Sequence, residues 1–507
     1  MTKSKNDDIK DSVLSDLLGN HLAQLFLGSQ GEPCISLVEN GKAKTMILGS
    51  NHWRGWLIRY VRANNLSISQ YHRDEITEEL CALSEEGGRK NVQVRIARTE
   101  DSVQIDLNDD SFDVVHISDL QQGFKLGQPE KVFLFRPNKQ SSLPKPILGD
   151  RDEFIEKFQE LMPEFALGHW LLVLTFILKS LNRDRGAFAI LLVSGPQGAG
   201  KTILSRRIKA LIDPSEPPEL SPPKNSDDIV IASRNSYLLV YENMSGISPE
   251  MADIFCRLAT GGGISKRQLY TDHEEVFYKI HRPVIINGID EPSNRPDFLD
   301  RCVVLELKPL APGQRIAETN LNCDFEANLP LLLGGLYSLL ADCLAILPKI
   351  HSEINSLPRM TDFALMGIAI EQVLNLKPGL FLDLYERNRF SQIENTFWND
   401  DLCLAIYQNL EKAPGNKIEG TANELMKTLF DKRSGLVGPR KARGFTGWMK
   451  RIEPLLKTMG IVVERPPRSA QRRVIIIRSL RPLTKPPGQI KIVRYGNVPR
   501  GSDSDFL

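Results

Sequence analysis

The sequence predicts a multidomain α/β fold: an N-terminal α+β domain, a central parallel sheet around a phosphate-binding loop, a helical subdomain and a C-terminal winged helix. Three observations carry this. Gly195-Pro196-Gln197-Gly198-Ala199-Gly200-Lys201-Thr202 fits the GxxxxGK[ST] pattern, set between an apolar run and an amphipathic one. From Phe188 onward, short apolar runs alternate with helical patterns, as a parallel sheet with crossover helices requires. Beyond residue 400 a strongly basic segment reads helix, helix, hairpin.

Single cores stop growing near ~250–300 residues, so a chain of 507 residues implies roughly three domains. With 41% hydrophobic and 25% charged residues and a formal net charge of +1, the composition is that of a soluble globular protein. The seven cysteines are scattered and form no CxxC or Cys/His cluster, so they read as reduced thiols with no zinc site. At the N-terminus no apolar stretch follows the first lysines, and Asp7, Asp8 and Asp11 argue against a transit peptide, which points to the cytoplasm. The apolar run from Phe165 to Lys179 contains His169 and is shorter than the ~20 residues a membrane span needs, so a buried helix beside the sheet is expected and no membrane partner.

Residues 1–145 read as an accessory α+β domain, with a helical pattern at Asp74–Ser84 and period-two runs at Val92–Ala97 and Val103–Leu107. Ser141–Gly149 supplies the turn formers of a linker. Residues 150–312 form the predicted core, led by helices over 150–185; 313–398 read as the helical subdomain, 399–480 as the winged helix, and 481–507 as a flexible basic tail.

The loop's chemistry follows from its residue types. Glycines let the backbone wrap a polyphosphate, the amides of the following helix point at it, Lys201 neutralises its charge and the Thr202 hydroxyl ligates Mg²⁺. Such a site, here taken to bind ATP, also needs a carboxylate on the metal side, and Tyr237–Glu242 is an apolar strand that ends on Glu242. The next residue is Asn243, where many such ATPases carry a second carboxylate to polarise water; that leaves the general base unassigned, with Asp253 as a weak candidate. A third strand, Arg282–Asn287, ends in an amide suited to orienting water or the γ-phosphate. Arg301, just before the strand Cys302–Leu307, reads either as an arginine finger for a neighbouring subunit or as an ion-pair partner of Asp297 or Asp300.

Taken in order, Gly195–Thr202, Tyr241-Glu242-Asn243, Cys256–Gly262, Arg267–Tyr270, Arg282–Ile289 and Asp297–Arg301 resemble the helicase half of phage and plasmid primase-helicases, a superfamily 3 branch of the AAA+ class. The resemblance covers about residues 150–480. It implies an AAA+-like P-loop ATPase, a hexameric ring, and movement on single-stranded or forked DNA during replication of a phage or mobile element. Residues 1–145 show no primase cluster, so a primase is expected to be a separate partner. Superfamily 3 helicases also carry a pore hairpin ahead of the sensor strand. Ser265–Tyr270 and Val276–Ile280 can pair as that hairpin, with Lys266, Arg267 and Lys279 as DNA contacts, although the tip Thr271–Glu275 is acidic and repels phosphate.

Residues 432–500 hold 18 Lys/Arg against only Glu453 and Glu464, which makes nucleic acid the natural partner. Arg440, Lys441, Arg443, Lys450 and Arg451 sit at or on the second helix, and Arg465, Arg468, Arg472 and Arg473 on the wing, where they set affinity more than sequence choice. The combined expectation is an ATP- and Mg²⁺-dependent DNA helicase or translocase, with Lys201, Glu242, Asn287 and Arg301 in the chemistry. The alternative is a nucleotide-controlled DNA-binding or assembly protein, acting at an origin or in defence, that separates no strands.

Overall fold

The structure, a computed structural model, describes residues 5–19, 23–39, 42–119, 123–162, 169–183, 186–267, 275–288, 295–308, 318–354, 357–430, 436, 438–439, 441–467 and 473–481. Two compact units emerge. The first joins Met1–Ser293 with Arg301–Leu382, and the second joins Asn294–Asp300 with Asp383–Leu507.

The first unit begins with α1 (Lys5–Gly19), β1 (Ala23–Leu27), β2 (Pro33–Glu39), β3 (Lys42–Ile47), α2 (Asn51–Ala63) and α3 (Gln70–Glu86). Strands β4 (Val92–Val94), β5 (Ile96–Arg98), β6 (Val103–Asp106), β7 (Val114–Ile117), β8 (Phe124–Gly127) and β9 (Phe133–Phe135) follow. They make two sheets, ordered β1-β2-β3-β9-β4 and β5-β6-β7-β8. The period-two run at Val92–Ala97 is therefore not one strand. Arg95 breaks it with a left-handed backbone (φ 61°), sending β4 into one sheet and β5 into the other. A bulky residue holds that conformation only when its surroundings fix it. Here the Arg95 side chain is fully buried and donates to Asp213 Oδ1 (3.1 Å) and to the carbonyls of Asp106, Ser141 and Pro214.

Next come α4 (Arg151–Leu161), α5 (His169–Leu181), β10 (Ile190–Ser194), α6 (Lys201–Ile212), α7 (Ser226–Asn235), β11 (Leu239–Tyr241), α8 (Pro249–Thr260), β12 (Gly263–Arg267), β13 (Glu275–Lys279) and β14 (Val284–Asn287). After α9 (Pro296–Leu299), which belongs to the second unit, the first resumes with β15 (Cys302–Glu306), α10 (Glu318–Glu353) and α11 (Thr361–Val373). Strands β11-β14-β10-β15 form a parallel sheet. Their residues are almost all buried, which is why each reads as an unbroken apolar run.

Helix α5 is buried at every position from Leu171 to Leu181 and packs on α6 and α11. Within α10, Asn322–Ser352 is long and apolar enough to cross a membrane, yet more than half of its apolar window is buried inside the protein, and the helix packs on α4 and α11. Helix α12 (Leu380–Asn399) then leads into the second unit's α13 (Asp401–Lys412), β16 (Lys417–Gly420), α14 (Ala422–Leu429), α15 (Ala442–Thr458), β17 (Ile461–Glu464) and β18 (Ile475–Ser479). The strands form an antiparallel sheet ordered β16-β18-β17. Its core joins Leu402, Ile406 and Leu410 of α13 to Leu425 and Leu429 of α14, and to Phe445, Met449, Ile452 and Leu456 of α15.

Candidate functional site

Connections leave β10 for β11 on one side of the sheet, and return from β14 to β15 on the other. Such a reversal opens a crevice at the carboxyl ends of the strands. The loop Gly195–Gly200 fills that place. Gly195 (φ 141°) passes so close to β15 that a Cβ would lie 2.5 Å from the Leu307 carbonyl oxygen, so no other residue fits. Gly200 (φ 84°) is the N-cap of α6 and supplies no capping side chain, which leaves the first amides of the helix for a ligand. Ala199 is buried beneath the loop. The Lys201 ammonium folds back to donate to the carbonyls of Gly195 (2.7 Å) and Pro196 (2.8 Å), and burial pulls its pKa below the ordinary lysine value.

Thr202 and Glu242 meet across this crevice, the hydroxyl donating to Glu242 Oε1. Glu242 lies just past β11, where its amide donates to the Leu220 carbonyl (3.0 Å). Asn243 takes a left-handed conformation (φ 57°), which asparagine tolerates better than most residues, and its side chain is exposed. Asn287 ends β14 in register with Val193 of β10 and is buried; its carbonyl accepts from Met244 N (2.9 Å), so it stands beside both the loop strand and the Glu242 turn. Asp253 lies on the exposed side of α8.

Arg301 is elsewhere. Its carbonyl accepts from Ile190 N at the start of β10, so it marks the end of the sheet opposite the loop. At ~3.3 Å per residue, the length of β10 separates the two by well over 10 Å. Of its suggested ion-pair partners, Asp297 pairs with Arg295 (3.4 Å) and Asp300 with Arg389 (3.2 Å).

Strands β12 and β13 pair antiparallel, with Arg267 opposite Glu275. Residues 268–274, which hold most of the acidic tip, and the side chains of Lys266 and Arg267 lie outside the described residues. Lys279 is exposed, and its carbonyl accepts from Gln30 Nε2 (3.3 Å). In the second unit Lys441 caps α15, while Arg443, Lys450 and Arg451 occupy its solvent face, spaced to lie opposite the buried Phe445, Met449 and Ile452. Arg465 is exposed but paired with both Glu453 oxygens (2.9 and 2.7 Å), and Arg473 is exposed before β18. Arg440, Arg468 and Arg472 fall outside the described residues.

Sequence reasoning missed one buried ionic group. At the far end of α6, Asp213 accepts from Lys209 Nζ (2.9 Å), Arg95 Nε (3.1 Å) and the amides of Tyr237 (2.8 Å) and Leu238 (3.1 Å). Burial alone would raise this carboxyl, but Lys209 and Arg95 hold it at about 2. No local pattern signals a contact between residues 118 positions apart.

Residues 162–381 match the family model described as "Actinomycete integrative conjugative element replication protein", and residues 403–488 match the "AICE RepA C-terminal domain". The two matches fall in the order of one protein and together span well over half of the chain. Over these residues the chain is similar to the AICE RepA replication proteins. It is thus a replication protein of a mobile genetic element. No curated protein matches it. Among solved structures, "SCCmec type IV Cch - active helicase" shares 12% identity at a TM-score of 0.47, covering 90% of this chain and 93% of that one. "The A form apo structure of NrS-1 C terminal region-CTR" shares 12% identity at 0.41, covering 92% and 98%. At such scores the likeness carries no argument about activity.

Proposed function

We propose that this protein is a DNA-directed ATPase that translocates along DNA or separates its strands during replication of the mobile element. One observation carries the reading: the Thr202 hydroxyl and the Glu242 carboxylate meet at the mouth of a glycine loop whose helix begins with uncapped amides. These donors fit ATP-Mg²⁺. The backbone of Gly195–Gly200 and the Lys201 ammonium would hold the phosphates, and Thr202 and Glu242 the magnesium, directly or through water. The bound ion supplies charge neutralisation at the γ-phosphate. Lys201, now spent on the loop's own carbonyls, exchanges those acceptors for phosphate oxygens. Asn287 orients water or the γ-phosphate from its place beside Val193. Arg301 stands too far from its own loop, which supports a ring in which it serves a neighbour's site.

The second unit supports DNA as the partner through its helix-helix-hairpin order, that of a winged helix, and the basic solvent face of α15. ATP hydrolysis measured with and without single-stranded DNA tests the reading, with Lys201→Ala as the blank and forked-duplex unwinding as the second assay. The expectation is DNA-stimulated hydrolysis that the variant lowers by at least ~100-fold, the scale of losing one preorganised charge-stabilising group. Hydrolysis indifferent to DNA, with no unwinding, would favour a nucleotide-controlled assembly protein instead. Asn243, which offers no base at the position after Glu242, is the residue that speaks for that second reading.

A further inference from the structure

A groove runs from the N-terminal sheets to α7, and none of the residues Gly195–Thr202 is among its walls. Its first cavity, about 490 Å³, opens between β3 and β9 of one sheet and the β6–β7 turn of the other, and Lys44, His52, Arg59, Asn138 and Gln140 help to line it. A second cavity, about 510 Å³, runs past the N-terminus of α2 to α7, with Asn51, Lys139 and Ile231 among its walls. His52, Pro137 and Asn138 line both, so the two are neighbours. Each has the volume of one small-ligand site, ~300–1,000 Å³.

The chemistry along the groove is sorted. Around His52 it is positive: burial lowers the imidazole pKa most, and Lys44 and Arg59 lower it further. The N-terminus of α2 adds its dipole there, and the exposed Lys139 brings a cation to the second cavity, whose α7 wall carries Asp228. Asp109 and Asp110 lie on the opposite wall of the first cavity, with Asp109 Oδ1 accepting from Asp113 N (2.8 Å). Arg136 is occupied, paired with Asp106 and stacked on Phe112 at 4.0 Å.

Gln140 is the anomaly. It is only 8% exposed, yet both the nitrogen and the oxygen of its carboxamide lack a protein partner. A buried amide left idle is costly, and a water, an ion or a ligand can supply its partners. Side by side, its donor and acceptor match the edge of a nucleobase, as cations match phosphates. Two neighbouring cavities match two nucleotides better than one.

We propose that this groove binds two successive nucleotides of single-stranded DNA, with a base edge on Gln140 and backbone phosphates on Lys44, Arg59 and Lys139. The inference rests on the similarity to replication proteins and not on the ATPase reading, so its test omits ATP. The full chain is irradiated with a short DNA strand carrying iododeoxyuridine, and the crosslinked peptides are identified by mass spectrometry.

Crosslinks are expected on peptides containing His52, Phe112 or Phe135, besides any in the basic C-terminal segment. Reversing two exposed charges, Arg59→Glu with Lys139→Glu, should abolish the first set and leave the second, with an unchanged circular dichroism spectrum. Binding should then depend less on salt, the slope falling by about 1.4 for two single-strand contacts at ~0.7 each. Gln140→Leu should weaken the same crosslinks and leave the salt slope intact. Crosslinks confined to the C-terminal segment, or a charge-reversed variant that binds and crosslinks as the parent does, would overturn the proposal. Loss of the groove crosslinks on adding millimolar dAMP would overturn it too, by making the groove a mononucleotide site.

Discussion

Asp213→Asn tests the buried ionic group at the end of α6. The substitution keeps the shape of the side chain and removes the one negative charge set between Lys209 (2.9 Å) and Arg95 (3.1 Å), all three buried. Breaking a buried pair by removing one partner costs about 3–5 kcal/mol, because a charge is left uncompensated. Proton linkage gives a second, order-of-magnitude figure. A carboxyl held at about 2, against an ordinary 3.8, contributes about 2 kcal/mol. Since its pKa is depressed in the folded chain, that contribution is complete above the ordinary value and is lost as pH falls through the folded one. The linkage figure belongs to the carboxyl alone, because burial pulls the Lys209 ammonium downward in the opposite sense.

The assay is urea unfolding at pH 7, followed by the fluorescence of Trp53 and Trp56, which lie in the core of the first unit. Losing about 3–5 kcal/mol would take a large share of the ~5–15 kcal/mol by which a domain is ordinarily stable. The variant should also lose the parent's destabilisation between about pH 4 and pH 2. A variant within ~1 kcal/mol of the parent, with the acid sensitivity unchanged, would refute the reasoning, since at these distances both cations depend on Asp213.

Three further outcomes are expected. Gly195→Ala, which sets a Cβ 2.5 Å from the Leu307 carbonyl, should abolish binding of a fluorescent ATP analogue, read by anisotropy, while the far-ultraviolet circular dichroism is kept. Glu242→Gln and Thr202→Ala should each reduce Mg²⁺-dependent hydrolysis by about 100-fold or more with little change in melting temperature, because both side chains are only partly buried. Asp400→Ala removes the N-cap of α13, which accepts from Leu402 N (3.0 Å) and Cys403 N (2.9 Å), and the acceptor of Trp448 Nε1 (2.9 Å). It should cost the second unit about 2–3 kcal/mol, measured by denaturation followed through Trp398 and Trp448.

The central sheet was legible because parallel strands covered on both faces are bare apolar runs. Tyr237–Glu242 holds β11, and Cys302–Leu307 holds β15 within one residue. The glycine loop was legible because its spacing is a chemical requirement. Helices near 421–430 and 444–457 were readable from their periodicity, and α15 begins only slightly earlier than the pattern suggested. What stayed hidden is long-range. The run at Val92–Ala97 looks like one strand because nothing local says that Arg95 will be captured by Asp213. Strand β16 has a half-exposed pattern and is defined by its partner β18, nearly sixty positions later, and not by its own residues. Gln140 reads as an ordinary polar residue after a turn until its burial is known.

Helix α6 ties two distant regions together. Twelve residues span about 18 Å at ~1.5 Å each, with the glycine loop at one end and Asp213 just past the other. A short helix of this kind behaves as a stiff rod. Were a bound phosphate to tilt its first turn, the carboxylate that grips Arg95 would move with it. Because Arg95 is the joint between the two N-terminal sheets, one helix and one ion pair connect those sheets to the loop.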